Sequence, residues 1–324
     1  MNQVIISSLA EFVGEICKLN SNTKKAIPVR NDVLLYRGHS DKSYMIAPSL
    51  SRGRNGSTSI SLFNYERDMI EMAQYKRPDI FRADLHPLEI LALLQHYEMP
   101  TRLLDVSENP MVALYFACNT RAKKGKDGKL YIPDGEVIVF TDNETSTSTY
   151  PIVNAIADTY HIIGSSNTEM TLTTFLEIAT KQPYFSEQCT LAKTLLSREI
   201  ENDKDAPDFM KTPDSWIKSC CENPLFVYAP IRLQRQQAQS GRYILFPNRI
   251  VPSLYNQSEL AFTSEILPIK KDSSCINTIF IIPADKKAEI LKELNMFGIN
   301  KEALFPDNID VLCESIKNKF SSLL

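Results

Sequence analysis

Apolar residues in this chain gather into short runs, and each run stops at a glycine, a proline or a charge. The segment DVLLYRG (32–38) is an apolar block of strand length that ends on Arg37 and Gly38, the pattern of a buried strand. EVIVFT (136–141), PLFVYAP (224–230) and CINTIFIIP (275–283) repeat that pattern, and the polar segment 232–247 runs into a further strand at RYILFP. Helical spacing takes over elsewhere. Leu9, Phe12, Val13 and Ile16 share one face of a helix that follows a short N-terminal strand or turn. A second helix is expected over 62–75. A third covers 86–100, with Pro87 near its start, Leu88, Leu91, Ala92 and Leu94 at helical intervals, and Pro100 closing it. Asn109-Pro110 is a natural helix start, so 110–119 is the fourth. Two more are expected at 284–296 and 307–319.

Strands interrupted by helices without regular strand–helix–strand alternation point to an α+β fold. The stretch 142–222 breaks the pattern. It carries Ser/Thr-rich and charged segments (TDNETSTSTY, EIENDKDAPD) around weak helical patterns, and is read as a helical insertion within one domain spanning 1–324.

Composition narrows the function classes. With 36 basic and 39 acidic residues the net charge is −3, so no global basic field recruits nucleic acid. The seven cysteines lack CxxC spacing and the four histidines form neither HxxxH nor HExxH, so no metal is expected and the thiols read as reduced. Neither GxGxxG nor GxxxxGK[ST] occurs, which argues against dinucleotide-fold dehydrogenases and P-loop ATPases. There is no secretory apolar core and no run of 18 apolar residues, so the expected location is the cytoplasm, away from membranes.

Three polar clusters stand at element ends. In Tyr36-Arg37-Gly38-His39, Arg37 can clamp a phosphate or carboxylate, and Gly38 lets a ligand approach the backbone. The alternative is a structural salt bridge beside a turn glycine. The second cluster is His96, Thr101, Arg102 and Asp105, before Ser107 and Glu108. Thr101 or Ser107 suits a helix cap and Arg102 can pair with Asp105 at the core margin, whether in a site or in a scaffold. The third is Arg232, Arg235, Gln236, Gln239, Ser240 and Gly241, either a solvated loop or a ligand-facing edge.

Together the clusters resemble the FRG domain family. Its (F/Y)-R-G motif stands as Tyr36-Arg37-Gly38, and its second hallmark as QHYEMPTRLLDVSENPMVALYFA (95–117). Its Gln–x–Gly–x–aromatic segment stands as Gln239-Ser240-Gly241-Arg242-Tyr243, and FGINKEALFPD (297–307) is a fourth match. Glu98 replaces a usual glycine and Val106 a usual tryptophan. A more distant resemblance links LLYRG, the 101–117 segment and QAQSGRYILFP to ADP-ribosyltransferases of the Arg-Ser-Glu type. It implies a mixed or antiparallel sheet core like theirs, flanked by helices, with NAD as substrate. Their catalytic glutamate has no counterpart here, where Gln239, Gly241 or Tyr243 stands in its place.

The resemblance implies an NAD- or nucleotide-binding protein, ADP-ribosyltransferase-like, acting as a toxin or phage-defence effector on a protein or nucleic-acid target. Arg37 would hold the pyrophosphate, within a binding set of Tyr36, Gly38, His39, Thr101, Arg102, Arg235 and Gln239. Asp105 and Glu108 are the candidate catalytic acids, with His96 beside them. A non-catalytic nucleotide or nucleic-acid sensor is one alternative. Phosphodiester hydrolysis with Asp105 and His96 as acid and base is another.

Overall fold

The apolar blocks become neighbouring strands of one eight-stranded sheet. The computed structural model describes residues 2–23, 33–52, 62–125, 128–142, 146–147, 151–163, 169–186, 221–230, 233–311, 313 and 317. The strands are β1 (Asn2–Ile5), β2 (Val33–His39), β3 (Leu103–Ser107), β6 (Gly135–Asp142), β7 (Ser146–Thr147), β9 (Leu225–Tyr228), β10 (Gly241–Leu245) and β13 (Ile276–Ile282). Their order is β1-β13-β6-β2-β3-β10-β9-β7. The β1–β13 and β9–β7 contacts at the two edges are parallel and the inner pairs antiparallel. The architecture is therefore α+β with a mixed sheet, as the order of strands and helices implied. A three-stranded sheet joins β8 (Met170–Thr171), β11 (Ile250–Pro252) and β12 (Leu260–Phe262), and β4 (Lys123–Lys124) pairs with β5 (Leu130–Tyr131).

Both faces of the sheet are covered, which is why its strands read as continuous apolar runs rather than alternating ones. On one face, α1 (Leu9–Thr23) and α4 (Pro110–Cys118) pack Phe12, Val112, Ala113 and Leu114 against Leu34, Tyr36, Val139 and Phe280. On the other, Leu35, Leu104, Val106, Ile138 and Ile244 meet Ile46, Leu50 and Phe63. A third cluster gathers α3 (Pro87–His96) and the helices Pro151–Ala157 and Leu172–Ala179 against Leu103, Tyr243 and Leu245. The described helices of the 142–222 stretch thus share a core with β3 and β10, and β7 extends the main sheet; residues 187–220 lie outside the described residues.

Several expectations need correction. Val13 is exposed, so the buried face of α1 is Leu9, Phe12 and Ile16. The helix expected from 62 begins as a short 3-10 turn (Leu62–Tyr65) before α2 (Glu66–Lys76). The helix expected at 284–296 runs Lys287–Met296, and that expected at 307–319 lies partly outside the described residues. The residue pattern of 101–109 reads as a helix cap or a polar cluster ahead of α4, yet Leu103–Ser107 is a central strand. Leu103 and Leu104 face different apolar clusters, so the doubled leucine erases the period-two signal. Among the described residues no helix is long and apolar enough to cross a membrane.

Candidate functional site

A cleft of about 460 Å³ opens where β2 and β3 part. β2 is paired with β6 along its whole length, Val33 to His39, but it meets β3 at one pair only, Tyr36 opposite Ser107. Beyond that pair the ladder is replaced by a side chain. Arg37 Nη1 donates to the Asp105 carbonyl at 2.7 Å and lies 3.8 Å from the Asp105 carboxylate. The guanidinium thus satisfies a backbone acceptor that a neighbouring strand would otherwise take.

The walls come from the parted strands β2 and β3, from β10 and from the elements around them. Arg37 and His39 stand two residues apart on β2 and so on one face of it. Tyr44 and Arg52 come from the following loop, Gln95 and His96 from the end of α3, Phe116 from α4, and Arg235, Gln236 and Gln239 from the helix Gln234–Ala238 and its cap. Asp105 is 54% exposed and its Oδ2 accepts from Gln95 Nε2 at 2.9 Å; Thr101 Oγ1 in turn donates to Gln95 Oε1 at 2.7 Å. Ser107 Oγ donates to the Gln239 carbonyl at 2.6 Å, and Gln239 Nε2 donates to the Leu304 carbonyl at 2.9 Å.

Three arginines give the cleft its charge. Burial lowers the pKa of Arg37, the Asp105 charge opposes that shift and Arg52 adds to it. Arg235 stacks over Phe305 at 4.6 Å and lies 3.7 Å from Glu98. His39 is 2% exposed and bonded through Nδ1 to Glu136 Oε1 at 3.0 Å, while Lys271 Nζ donates to Glu136 Oε2 at 2.5 Å. Burial pushes the His39 pKa down against the raising effect of Glu136, and Arg37 and Arg52 depress it further. Among the described residues, the buried side-chain polar atoms without a partner are Arg37 Nε, His39 Nε2, Gln236 Nε2 and Arg242 Nη1. The first three belong to residues of the cleft. Buried polar groups are ordinarily paired, so their concentration here marks the place where a ligand would supply the missing partners.

The expected site residues fall into two groups. Tyr36, Arg37, Gly38, His39, His96, Asp105, Arg235 and Gln239 all line the cleft, drawn from about 200 residues of chain. Thr101, Arg102 and Glu108 do not. Arg102 is 1% exposed and pairs with Glu66 rather than Asp105, its Nε donating to Glu66 Oε1 at 2.8 Å and its Nη1 to Asn248 Oδ1 at 2.9 Å. Thr101 is buried and works through Gln95; Glu108 is paired with Arg242. His96 and Asp105 share the cleft but not a contact: His96 Nε2 faces Asp307 at 3.9 Å, and burial, with Arg235, lowers its pKa. Arg232 lies outside the described residues.

Gly38 makes room for a helix as well as lining the cleft. A Cβ built on it would sit 1.9 Å from the Ala113 carbonyl oxygen and 2.8 Å from the Ala117 nitrogen, so α4 occupies the space that the missing side chain leaves. Tyr44, Arg52, Gln95, Gln236 and, behind His39, Glu136 complete the site. Of these Gln236 had a signal in the third polar cluster and Gln95 opens the second hallmark, whereas Glu136 sits in a block that reads simply as a strand.

Glu98 explains its own departure from the family pattern. It follows α3 with φ of 61°, and the Met99 nitrogen donates to the Leu94 carbonyl at 3.0 Å, a Schellman closure whose left-handed residue is normally glycine. The same closure after Lys287–Met296 uses Gly298, φ 78°. Glu98→Gly should therefore stabilise the protein by about 0.5–1 kcal/mol, the left-handed penalty outweighing the greater freedom that glycine brings to the unfolded chain. Denaturant midpoints at constant m-value measure it, and an unchanged or lower midpoint would show that the strain is absent.

Among the described residues no group of three or more His, Cys, Asp or Glu side chains could hold a metal ion. Residues 32–126, which carry β2, β3, α4 and most of the cleft, match the model of the FRG domain. No curated protein and no solved structure matches the chain.

Proposed function

The chain carries an FRG domain over residues 32–126, and on that premise we propose that its cleft binds a nucleotide through the pyrophosphate, NAD being the expected ligand. The observation that carries this reading is the set of unpartnered atoms on Arg37, His39 and Gln236, within a wall that also holds Arg52 and Arg235. Burial lowers the pKa of Arg37 and of Arg52, and the Arg52 charge lowers that of Arg37 further; an anion between the two guanidinium groups would offset both effects. A volume of about 460 Å³ falls in the range of small-molecule sites. The Arg37 Nε–H and the Gln236 amide donate, so the ligand must accept at two places. The bare Nε2 of His39 asks for a hydroxyl donor. An NAD-consuming cleft would suit the toxin or phage-defence setting that the resemblance implies.

Thermal denaturation with NAD, ADP-ribose, ADP and inorganic pyrophosphate tests this. Ligand at about 100 times its Kd stabilises by roughly 2.7 kcal/mol, a shift easily read. Arg37→Ala should abolish that shift while leaving the ligand-free melting temperature within a few degrees, because the Asp105 carbonyl it releases borders the open cleft. A panel that leaves the wild type unshifted would sink the nucleotide reading.

A further inference from the structure

Taking the cleft as a nucleotide site, as above, we propose that His39 is its general base, positioned by Glu136, and that the dyad deprotonates a hydroxyl attacking the ribose carbon of bound NAD. The geometry carries the assignment. Glu136 lies directly opposite His39 in the β2–β6 ladder, so the two side chains share a face and meet at 3.0 Å in the buried interior. A carboxylate held on Nδ1 favours the tautomer with hydrogen there and the lone pair on Nε2. That Nε2 is buried and partnerless, on a residue of the cleft wall, two positions along β2 from the phosphate-holding Arg37. Lys271, bonded to the other oxygen of Glu136 and to the Lys42 carbonyl at 2.6 Å, pins the carboxylate in place. The titratable and charged groups around His39 are Glu136 and Lys271 behind it, Arg37 and Arg52 on the cleft side, and the Tyr44 ring 6.0 Å away. Burial, with the two arginines adding to it, keeps the free imidazole neutral, as a base must be; a bound pyrophosphate would offset the arginines and strengthen the base once the substrate is in place.

The step balances without a further reagent. The oxygen of water, or of a hydroxyl on an acceptor, bonds to C1′ of the nicotinamide ribose. The C1′–N bond breaks, and its electron pair leaves with nicotinamide. The hydroxyl proton passes to His39 Nε2, Glu136 stabilises the imidazolium, and the proton then returns to solvent. NAD suits a dyad of this kind because nicotinamide departs as a neutral molecule and takes no proton, so a base alone completes the transfer. The dyad also supplies a carboxylate in place of the glutamate missing near Gln239: Glu136 stands on β6, next to β2 in the sheet, and acts through His39.

The test measures nicotinamide release from NAD by the full chain, with water alone and with added protein or nucleic-acid acceptors, alongside the NAD-dependent thermal shift. The wild type should show both. His39→Gln should weaken the shift at most partly, since Arg37 and Gln236 still hold the ligand, but lose roughly 10²–10⁴-fold in kcat, and Glu136→Gln should lower kcat with little change in KM. Because either replacement is buried, His39→Ala with added imidazole is the companion experiment; partial recovery of release is a result that a structural role would not give. A wild type that is stabilised by NAD yet releases no nicotinamide with any acceptor overturns the dyad and leaves the nucleotide site standing. Undiminished kcat in His39→Gln does the same. A wild type with no NAD shift removes the nucleotide reading and this proposal with it.

Discussion

Arg102→Ala is expected to lower stability by about 3–5 kcal/mol, the cost of leaving a buried partner charge uncompensated. Glu66 is 3% exposed and takes two bonds from the guanidinium, which also reaches Asn248 and the Phe246 carbonyl and lies over the Phe63 ring. For a chain of this size the loss corresponds to roughly 4–8 °C in melting temperature. The nucleotide-dependent shift of whatever protein stays folded should be unchanged, because Arg102 is no part of the cleft wall. Replacing both partners, Arg102→Met with Glu66→Leu, should recover most of the loss, since a packed apolar pair of similar volume avoids desolvating two charges. Wild-type stability in Arg102→Ala together with a lost ligand shift would restore Arg102 to the ligand site.

The contrast between Arg102 and Arg37 shows what was legible in the residues and what was not. Both arginines stand beside apolar runs, each fits a ligand site or a scaffold, and the resemblance places both in the binding set. Their fates diverge because β2 ends at the cleft while β3 enters the sheet on Arg102, between α2 and the loop carrying Asn248. Nothing local encodes that difference: it depends on Glu66, 36 residues away, and Asn248, 146 residues away. The strands built from one uninterrupted apolar block, β2, β6, β9 and β13, were legible because burial on both faces leaves a single signal. β3 was not, because Asp105 interrupts five residues that otherwise face two different cores.

For the site, residues at element ends announced themselves, while residues supporting them from strand interiors did not. Asp105, His96 and Gln239 carried polar signals next to breaks and do reach the cleft. Glu136 carried none, since an acid opening an apolar strand ordinarily faces water; only the β2–β6 register sets it against His39.

Gly38→Ala should be the most damaging small substitution in the cleft wall, costing on the order of 3 kcal/mol or more, at or beyond the upper range for overpacking. The added methyl would stand 1.9 Å from the Ala113 oxygen and 2.9 Å from its carbonyl carbon. Both are helix backbone, which cannot rotate aside as a side chain would. α4 must therefore lift from β2, and because Val112, Ala113 and Phe116 line the cleft, the ligand-dependent shift should weaken along with stability. Gly14→Ala supplies the control. Gly14 lies within α1 with nothing within 4 Å of its would-be Cβ, so alanine there should stabilise by about 1 kcal/mol through helix propensity. Equal tolerance at the two positions, read from denaturant midpoints, would mean that α4 does not rest on Gly38. The glycine of the Tyr36-Arg37-Gly38 motif would then serve the ligand after all, as its position beside Arg37 first suggested.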